Sequence, residues 1–124
     1  MKLTDLAIGD LILINNTPHK IQAIDSIDAK ILADDDLYYV GEDRCHSEDK
    51  IEGIPLTPEI LEKNGWWYDG DDMWQHEEVG FYIEKLNGRF QCYEINQIKL
   101  DSVHKLQQTL RLCGLNELAD NFKV

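Results

Sequence analysis

The sequence predicts an α+β fold in which a small β-barrel or sheet is followed by a short helix, an antiparallel β-meander and a C-terminal helix. Short apolar runs recur at roughly ten-residue spacing early in the chain and are joined by tight turn signals, which is typical of a small sheet or partly open barrel. Helical periodicity is confined to later segments. Since 43% of the 124 residues are hydrophobic, the chain can fill a core without disulfides or a metal.

Four strand candidates open the chain. Residues 11–14 form an apolar, β-branched-rich run, and residues 15–18 follow as a turn cluster. Residues 20–24 alternate polar and apolar side chains, as a half-buried strand does. Two further runs, residues 28–33 and 37–40, are separated by three consecutive aspartates.

A short helix is predicted next. Thr57 suits the N-cap, Pro58 suits the first helical position, and Glu59 complements the positive end of the helix. The helix is predicted to end at Asn64-Gly65 through a left-handed residue. Because isolated helices of this length are unstable, packing must hold it in place.

An aromatic-rich meander follows the helix. Residues 66–68 and 73–76 are strand candidates joined across a turn of aspartates and glycine. Residues 80–86 and 89–95 are joined by Asn87-Gly88, the strongest short hairpin signal.

The Asn87-Gly88 turn also predicts which residues pair and which face they share. It sets Leu86 opposite Arg89 and Ile83 opposite Cys92. The face predicted as core carries four apolar side chains, namely Phe81, Ile83, Phe90 and Cys92. The other face carries Tyr82, Leu86 and Tyr93.

The last predicted element is a helix that Asp101 or Ser102 can cap and Gly114 closes. Its apolar stripe consists of Val103, Leu106, Leu110 and Cys113. Residues 116–122 fit one further helical turn or two. The chain thus divides into residues 1–53 and 54–124, and we expect these two parts to share one core because each is near the lower size limit for independent stability.

Several segments carry a family resemblance. Residues 6–11 (LAIGDL), 54–61 (IPLTPEIL), 64–66 (NGW) and 103–108 (VHKLQQ) occur in the order found in an uncharacterised family of short bacterial proteins. The chain resembles that family, whose members are often encoded in mobile elements or prophages of gut anaerobes. The opening segment also resembles the first strand of an SH3-like barrel, which implies an SH3-like β subdomain over residues 1–53. The resemblance implies no activity, cofactor or catalytic residue.

Charge is concentrated in the middle of the chain. Residues 25–78 hold 17 acidic and 4 basic residues, the remainder holds 7 and 8, and the net charge is −12. This excess argues against direct nucleic acid binding, which needs clustered Lys and Arg. No apolar run reaches the length of about 18 residues expected of a membrane span, and the first residues lack the pattern of a secretory signal.

The cysteines bear on the compartment. Cys45, Cys92 and Cys113 are odd in number and widely spaced, unlike the disulfide framework of a small secreted protein. Cys92 and Cys113 both fall at apolar positions of predicted elements, so we expect them to be buried, reduced thiols. These features predict a cytoplasmic protein.

Metal binding has little support in the sequence. Asp69, Asp71 and Asp72, with two glutamates nearby, could hold a hard cation, but their spacing fails the calcium-loop pattern and a solvated turn is the better interpretation. The residues that could be assembled into a zinc site are Cys45, His46, His76, Cys92, His104 and His19. They lack the paired spacing of zinc ligands, and His104 is predicted instead at the helix edge with its ring against the sheet.

Catalysis has little support either. The chain contains neither a Gly-x-Ser-x-Gly elbow nor a glycine-rich phosphate loop, and paired carboxylates arise by chance in so acidic a sequence. We therefore expect a protein that is not an enzyme and that takes no cofactor. A small metal-dependent enzyme is the least favoured class.

The aromatic cluster is the strongest candidate for function. Eight of the eleven aromatic residues fall between Trp66 and Tyr93. Because consecutive residues of a strand face opposite sides, one of Trp66 and Trp67 should point away from the core unless the last helix covers it. An exposed Trp67 beside Tyr82 and Tyr93 would anchor a protein partner or a sugar, and core packing is the competing interpretation. The hypothesis is a non-catalytic protein-interaction module for an unidentified protein partner.

The acidic stretch has three interpretations. It is a solvated face, a field that steers the protein to a basic partner, or a mimic of nucleic acid that inhibits a nucleic-acid-binding protein. The last of these is the alternative function. The carboxylates predicted to rim the binding surface are Asp34, Asp35, Asp36, Asp71 and Asp72.

Overall fold

The computed structural model describes residues 2–40, 49–93 and 98–124, and it confirms the α+β fold. Within these ranges two antiparallel sheets, of five and four strands, are accompanied by three short α-helices. A 3₁₀ turn at Leu3–Asp5 precedes the first strand. No helix in the described ranges is long and apolar enough to cross a membrane.

The strands of the first sheet are β1 (Leu11–Ile14), β2 (Thr17–Asp25), β3 (Lys30–Ala33), β4 (Asp36–Tyr39) and β5 (Ile51–Gly53). They lie in the order β4-β3-β2-β1-β5. β4 and β5 form its two edges, so over the described residues the sheet is open and does not close into a barrel. The SH3-like nature of this part stays a prediction.

Tight turns with left-handed backbone connect neighbouring strands. Asn15 and Asn16 have φ values of 49° and 68°, and Asp34 and Asp35 have values of 49° and 65°. A two-residue hairpin turn of type I′ needs positive φ at both positions, which Asn, Asp and Gly tolerate best. The acidic run between β3 and β4 is therefore explained by turn geometry.

The first helix, α1 (Pro58–Lys63), begins and ends where the sequence predicts. The Thr57 hydroxyl accepts a hydrogen bond from the Ile60 amide at 3.3 Å, and Pro58 occupies the first turn. Gly65 follows Asn64 with a φ of 89°, which turns the chain into the second sheet.

The strands of the second sheet are β6 (Trp66–Gly70), β7 (Met73–His76), β8 (Tyr82–Leu86) and β9 (Arg89–Cys92). They lie in the order β6-β7-β8-β9. The predicted pairings of Leu86 with Arg89 and of Ile83 with Cys92 are confirmed. All four side chains of the predicted core face are buried. The strand predicted over 89–95 ends at Cys92, and residues 94–97 lie outside the described ranges.

Two helices end the chain, α2 (Val103–Leu112) and α3 (Asn116–Asp120). Val103, Leu106 and Leu110 are fully buried, as predicted. The prediction that Cys113 is buried is wrong, because α2 ends at Leu112 and the exposed Cys113 is its C-cap, beyond the last turn that packs on the core. The prediction for Cys92 is confirmed.

The buried apolar residues form two clusters, one centred on each sheet, and β1 contributes to both. Ile12 and Ile14 belong to the first cluster, whereas Leu11 and Leu13 pack against the second. Alternate side chains of a strand face opposite sides, so β1 lies between the two clusters. The boundary between residues 53 and 54 stays a prediction.

Candidate binding surface

Cross-strand pairing aligns three aromatic side chains on the outer face of the second sheet. Trp67 lies opposite Gln75, and Gln75 lies opposite Tyr82. The Tyr93 amide donates to the Tyr82 carbonyl at 3.1 Å, which continues the row past the end of β9. Since directly opposed residues of an antiparallel sheet share a face, these side chains form one row about 14 Å long across four strands. We call Trp67, Tyr82 and Tyr93 the aromatic row.

The two consecutive tryptophans have opposite environments, as the alternation of side chains predicts. Trp66 is 2% exposed and its ring lies 4.6 Å from the ring of His76 and 6.2 Å from that of Phe122. Trp67 is 45% exposed. The last helices cover the inner face of the sheet and leave Trp67 on the outer one.

The other members of the aromatic row differ in exposure. Tyr93 is 60% exposed and Tyr82 is half-buried, and their rings meet edge to face with centroids 6.2 Å apart. Leu86, about half exposed, adds apolar surface on the face of Tyr82, whereas Tyr68 lies opposite Trp74 and faces the other side of the sheet. Exposed aromatic side chains with restricted rotamers are typical anchors of protein interfaces.

The predicted acidic rim is divided between the two sheets. Asp71 and Asp72 form the turn between β6 and β7, at the tip of the sheet that carries the aromatic row. The range 34–36 lies in the turn and first residue between β3 and β4, in the other sheet. Only the first pair therefore shares a sheet with Trp67.

The 34–36 acids have contacts of their own within the first sheet. Asp34 contacts the His19 ring, and the amide of Asp35 donates to the Gln22 side chain at 2.7 Å. Partial burial, then the nearby carboxylates of Asp36 and Asp34, raise the pKa of Tyr38. The contacts of Asp34 and Asp35 connect this turn to β2.

His76 has a structural role. Its Nδ1 accepts from the amides of Glu78 at 3.1 Å and Val79 at 3.3 Å, so Nε2 carries the proton and donates to the Asn64 carbonyl at 2.9 Å. Both ring nitrogens are occupied by backbone groups, which leaves neither for a metal or a proton transfer.

Among the residues that the structure describes, those considered for metal binding are not brought together. In the described part of the chain no three His, Cys, Asp or Glu side chains are close enough to hold a metal ion. Cys45 and His46 lie outside the described residues.

A buried polar network that the sequence did not predict joins the start of the chain to α2. Asp10 is fully buried and accepts from Nη1 of Arg111, from Nε2 of Gln108 and from the Ala7 amide at 2.7–2.8 Å. Gln107 accepts from the Leu11 amide at 2.8 Å and donates to the carbonyl of residue 9 at 3.0 Å. The network holds β1 against α2. Sequence reasoning missed it because the partners are separated by about a hundred positions, and periodicity reports faces rather than partners.

A cleft of about 500 Å³ between β5 and the start of α2 is the second feature that sequence analysis missed. Ser102 and His104 line it, 8% and 3% exposed, and the ring of His104 lies against Gly53 of β5. The Ser102 hydroxyl and Nδ1 of His104 have no hydrogen-bond partner among the described residues. Burial lowers the pKa of His104, although the carboxylate of Asp10 opposes this effect.

Comparisons with protein-family models, with curated proteins and with solved structures find no match to this chain.

Proposed function

We propose that this chain is a non-catalytic protein-interaction module that binds its partner through Trp67, Tyr82 and Tyr93. The observation that carries the proposal is the alignment of these side chains in one outward row, while the preceding Trp66 fills the core. An exposed aromatic side chain does not contribute the free energy of burial that Trp66 contributes to folding. It can contribute that free energy to binding when a partner covers it.

The charge of the molecule indicates the chemistry of the partner. The net charge is −12, and the outer face next to the aromatic row carries Glu84, with Asp71 and Asp72 at the tip of the sheet. Tryptophan and tyrosine faces attract Lys and Arg, and nearby carboxylates strengthen that preference. The proposed partner is a protein segment that presents Arg or Lys beside an apolar side chain.

The test compares affinity capture by the tagged wild-type protein, by Trp67→Ala and by Ile27→Ala from nuclease-treated bacterial lysate. Ile27 is 92% exposed and lies in the turn between β2 and β3, so Ile27→Ala is the matched control for loss of exposed apolar surface. We expect a basic protein that wild type and Ile27→Ala both retain through high salt and Trp67→Ala does not. With the purified partner, titration calorimetry should show a loss of at least about 1 kcal/mol for Trp67→Ala.

Equal capture by all three proteins would contradict a role for Trp67. Retention only at low salt, with dependence on the five aspartates rather than on Trp67, would support the alternative of an acidic nucleic-acid mimic. That alternative has the clustering of 17 acidic and 4 basic residues over positions 25–78 in its favour. Its affinity would fall steeply with salt, whereas binding through the aromatic row would be far less sensitive.

A further inference from the structure

Two buried polar atoms in the cleft between β5 and α2 have unmet hydrogen-bonding capacity. The Ser102 hydroxyl oxygen and Nδ1 of His104 are covered by protein and contact no polar atom of the described residues. Leaving a buried polar group unsatisfied costs about 1–3 kcal/mol, so such groups call for a specific explanation. Two such atoms on residues that line one cleft indicate a site whose partner is not among the described residues.

Gly53 shows how close together these groups lie. A Cβ atom placed on Gly53 would lie 3.0 Å from Cβ of Ser102, 2.9 Å from Cε1 of His104 and 3.2 Å from its Nδ1. Cβ of Ser102 and the ring of His104 therefore both lie against Gly53 of β5.

The chemistry of the cleft favours a hydrogen-bond donor that carries positive charge. In the neutral tautomer with its proton on Nε2, the His104 imidazole offers Nδ1 as an acceptor, and the Ser102 hydroxyl offers acceptor lone pairs. Three carboxylates also line the cleft, those of Asp5, Glu52 and Asp101. Glu52 pairs with Lys50 at 3.2 Å and Asp101 pairs with Lys105 at 3.3 Å, so Asp5 leaves an excess of one carboxylate over the two lysines.

We propose that this cleft binds a primary ammonium or guanidinium group, which donates to the Ser102 hydroxyl and to Nδ1 of His104 among the carboxylates of Asp5, Glu52 and Asp101. Because both acceptor atoms are covered, the group enters by a small separation of Gly53 from the start of α2. This site shares no residue with the aromatic row and is independent of the function proposed above.

The test is a titration of the full chain with methylguanidinium, followed by amide chemical shifts in NMR spectra at neutral pH. Tetramethylammonium at equal ionic strength is the control, because it has the same charge and no N–H donor. We expect saturable shifts at Gly53 and at residues 102–105 with methylguanidinium, at millimolar affinity as befits a single charged group. No shift at these residues, or the same shift with tetramethylammonium, would overturn the proposal.

Ser102→Ala separates ligand binding from a structural role. The Ser102 hydroxyl makes no bond within the described residues, so its removal should not lower the melting temperature. We expect it to weaken methylguanidinium binding by about tenfold, the effect of one hydrogen bond to a charged group. Unchanged affinity in a fully folded Ser102→Ala would contradict the proposed contact.

A capped Gly-Arg-Gly peptide distinguishes the two sources of such a group. Binding of the peptide at least tenfold tighter than methylguanidinium would assign the site to an arginine side chain of a polypeptide. Equal or weaker binding of the peptide, with the same shifted residues, would assign it to a small free amine or guanidine. Shifts elsewhere in the protein, without those at Gly53 and 102–105, would overturn the site itself.

Discussion

At the scale of single residues, Gly9 combines two constraints. Its φ is 92°, and a Cβ atom there would lie 2.8 Å from Nη2 of Arg111. Arg111 cannot easily move away, because its Nη1 is bonded to buried Asp10 at 2.7 Å. Gly9→Ala should therefore lower the free energy of unfolding by about 2–3 kcal/mol in urea titrations, from left-handed strain plus the clash.

Gly70→Ala is the matched control for that prediction. Gly70 has nearly the same φ, 91°, and no atom within 4 Å of the added Cβ. It should lose about 1 kcal/mol from backbone strain alone. An equal loss in the two variants would show that the approach of Arg111 has no energetic effect.

Asp10 gives a second prediction at this scale. It is fully buried with three hydrogen-bond donors around its carboxylate, so Asp10→Ala leaves these donors without their acceptor and Arg111 with only the longer pair to exposed Asp120 at 3.6 Å. The free energy of unfolding should fall by about 3–5 kcal/mol. Asp28→Ala, which breaks an exposed pair with Lys30 at 3.6 Å, should change it by less than about 1 kcal/mol in the same urea titration. Similar losses in both would contradict the role of burial.

The burial or exposure of a side chain was predictable where it depends only on the periodicity of its own strand or helix. The opposite exposures of Trp66 and Trp67 follow from strand alternation alone. The burial of Asp10 does not follow from any local pattern. An aspartate before a strand is typical of a turn, and its partner Arg111 lies far along the chain in α2. Cys113 was mispredicted because helical spacing continues in a sequence after the helix itself has ended.

At the scale of elements, the N-caps of α1 and α2 should contribute differently to the free energy of unfolding. The Thr57 hydroxyl caps α1 by accepting from the Ile60 amide, whereas Ser102 at the N-cap of α2 makes no such bond. Thr57→Ala should lower the free energy of unfolding by about 1 kcal/mol, while Ser102→Ala should leave it unchanged or slightly higher. Chemical denaturation of the two variants beside wild type checks this. A loss on Ser102→Ala as large as on Thr57→Ala would contradict the contrast.

Element positions were predictable because turn chemistry marks them. Asn87-Gly88 fixed a hairpin register that the structure confirms, and Asp34-Asp35 occupies a turn of the same kind. Strand ends were less predictable. β6 extends to Gly70 through an irregular pairing after Tyr68, and the apolar pattern does not reveal such a shift in advance.

At the scale of the whole molecule, His104 couples stability to pH. Burial lowers the pKa of His104 in the folded protein, while the unfolded value is near 6.5. As the pH falls through that unfolded value, the unfolded state takes up a proton that the folded state resists, so stability falls. His104→Gln should show a smaller fall in the free energy of unfolding between pH 7.5 and 5.5 than wild type, measured in urea. An unchanged pH dependence would contradict this assignment.

The arrangement of the two sheets was the least predictable property. Sequence patterns gave the order of elements and the α+β class, but they did not indicate that α2 would contact β1 through Gln107 and Leu11. Contacts between distant segments depend on which polar groups come together when the chain folds. Local propensity and periodicity do not identify those partners.

The contact of β1 with α2 means that one side of β1 is covered only after α2 has been synthesised. Leu11 and Leu13 face a cluster built largely from residues after 54, and the Leu11 amide is satisfied by Gln107. During synthesis, these groups stay uncovered until the segment from Val103 onward has emerged. A product truncated before Val103 would leave Leu11 and Leu13 less covered and the Leu11 amide without its acceptor, and exposed apolar surface of this kind is what chaperones and proteases act on. The fold thereby distinguishes chains that contain α2 from chains that lack it.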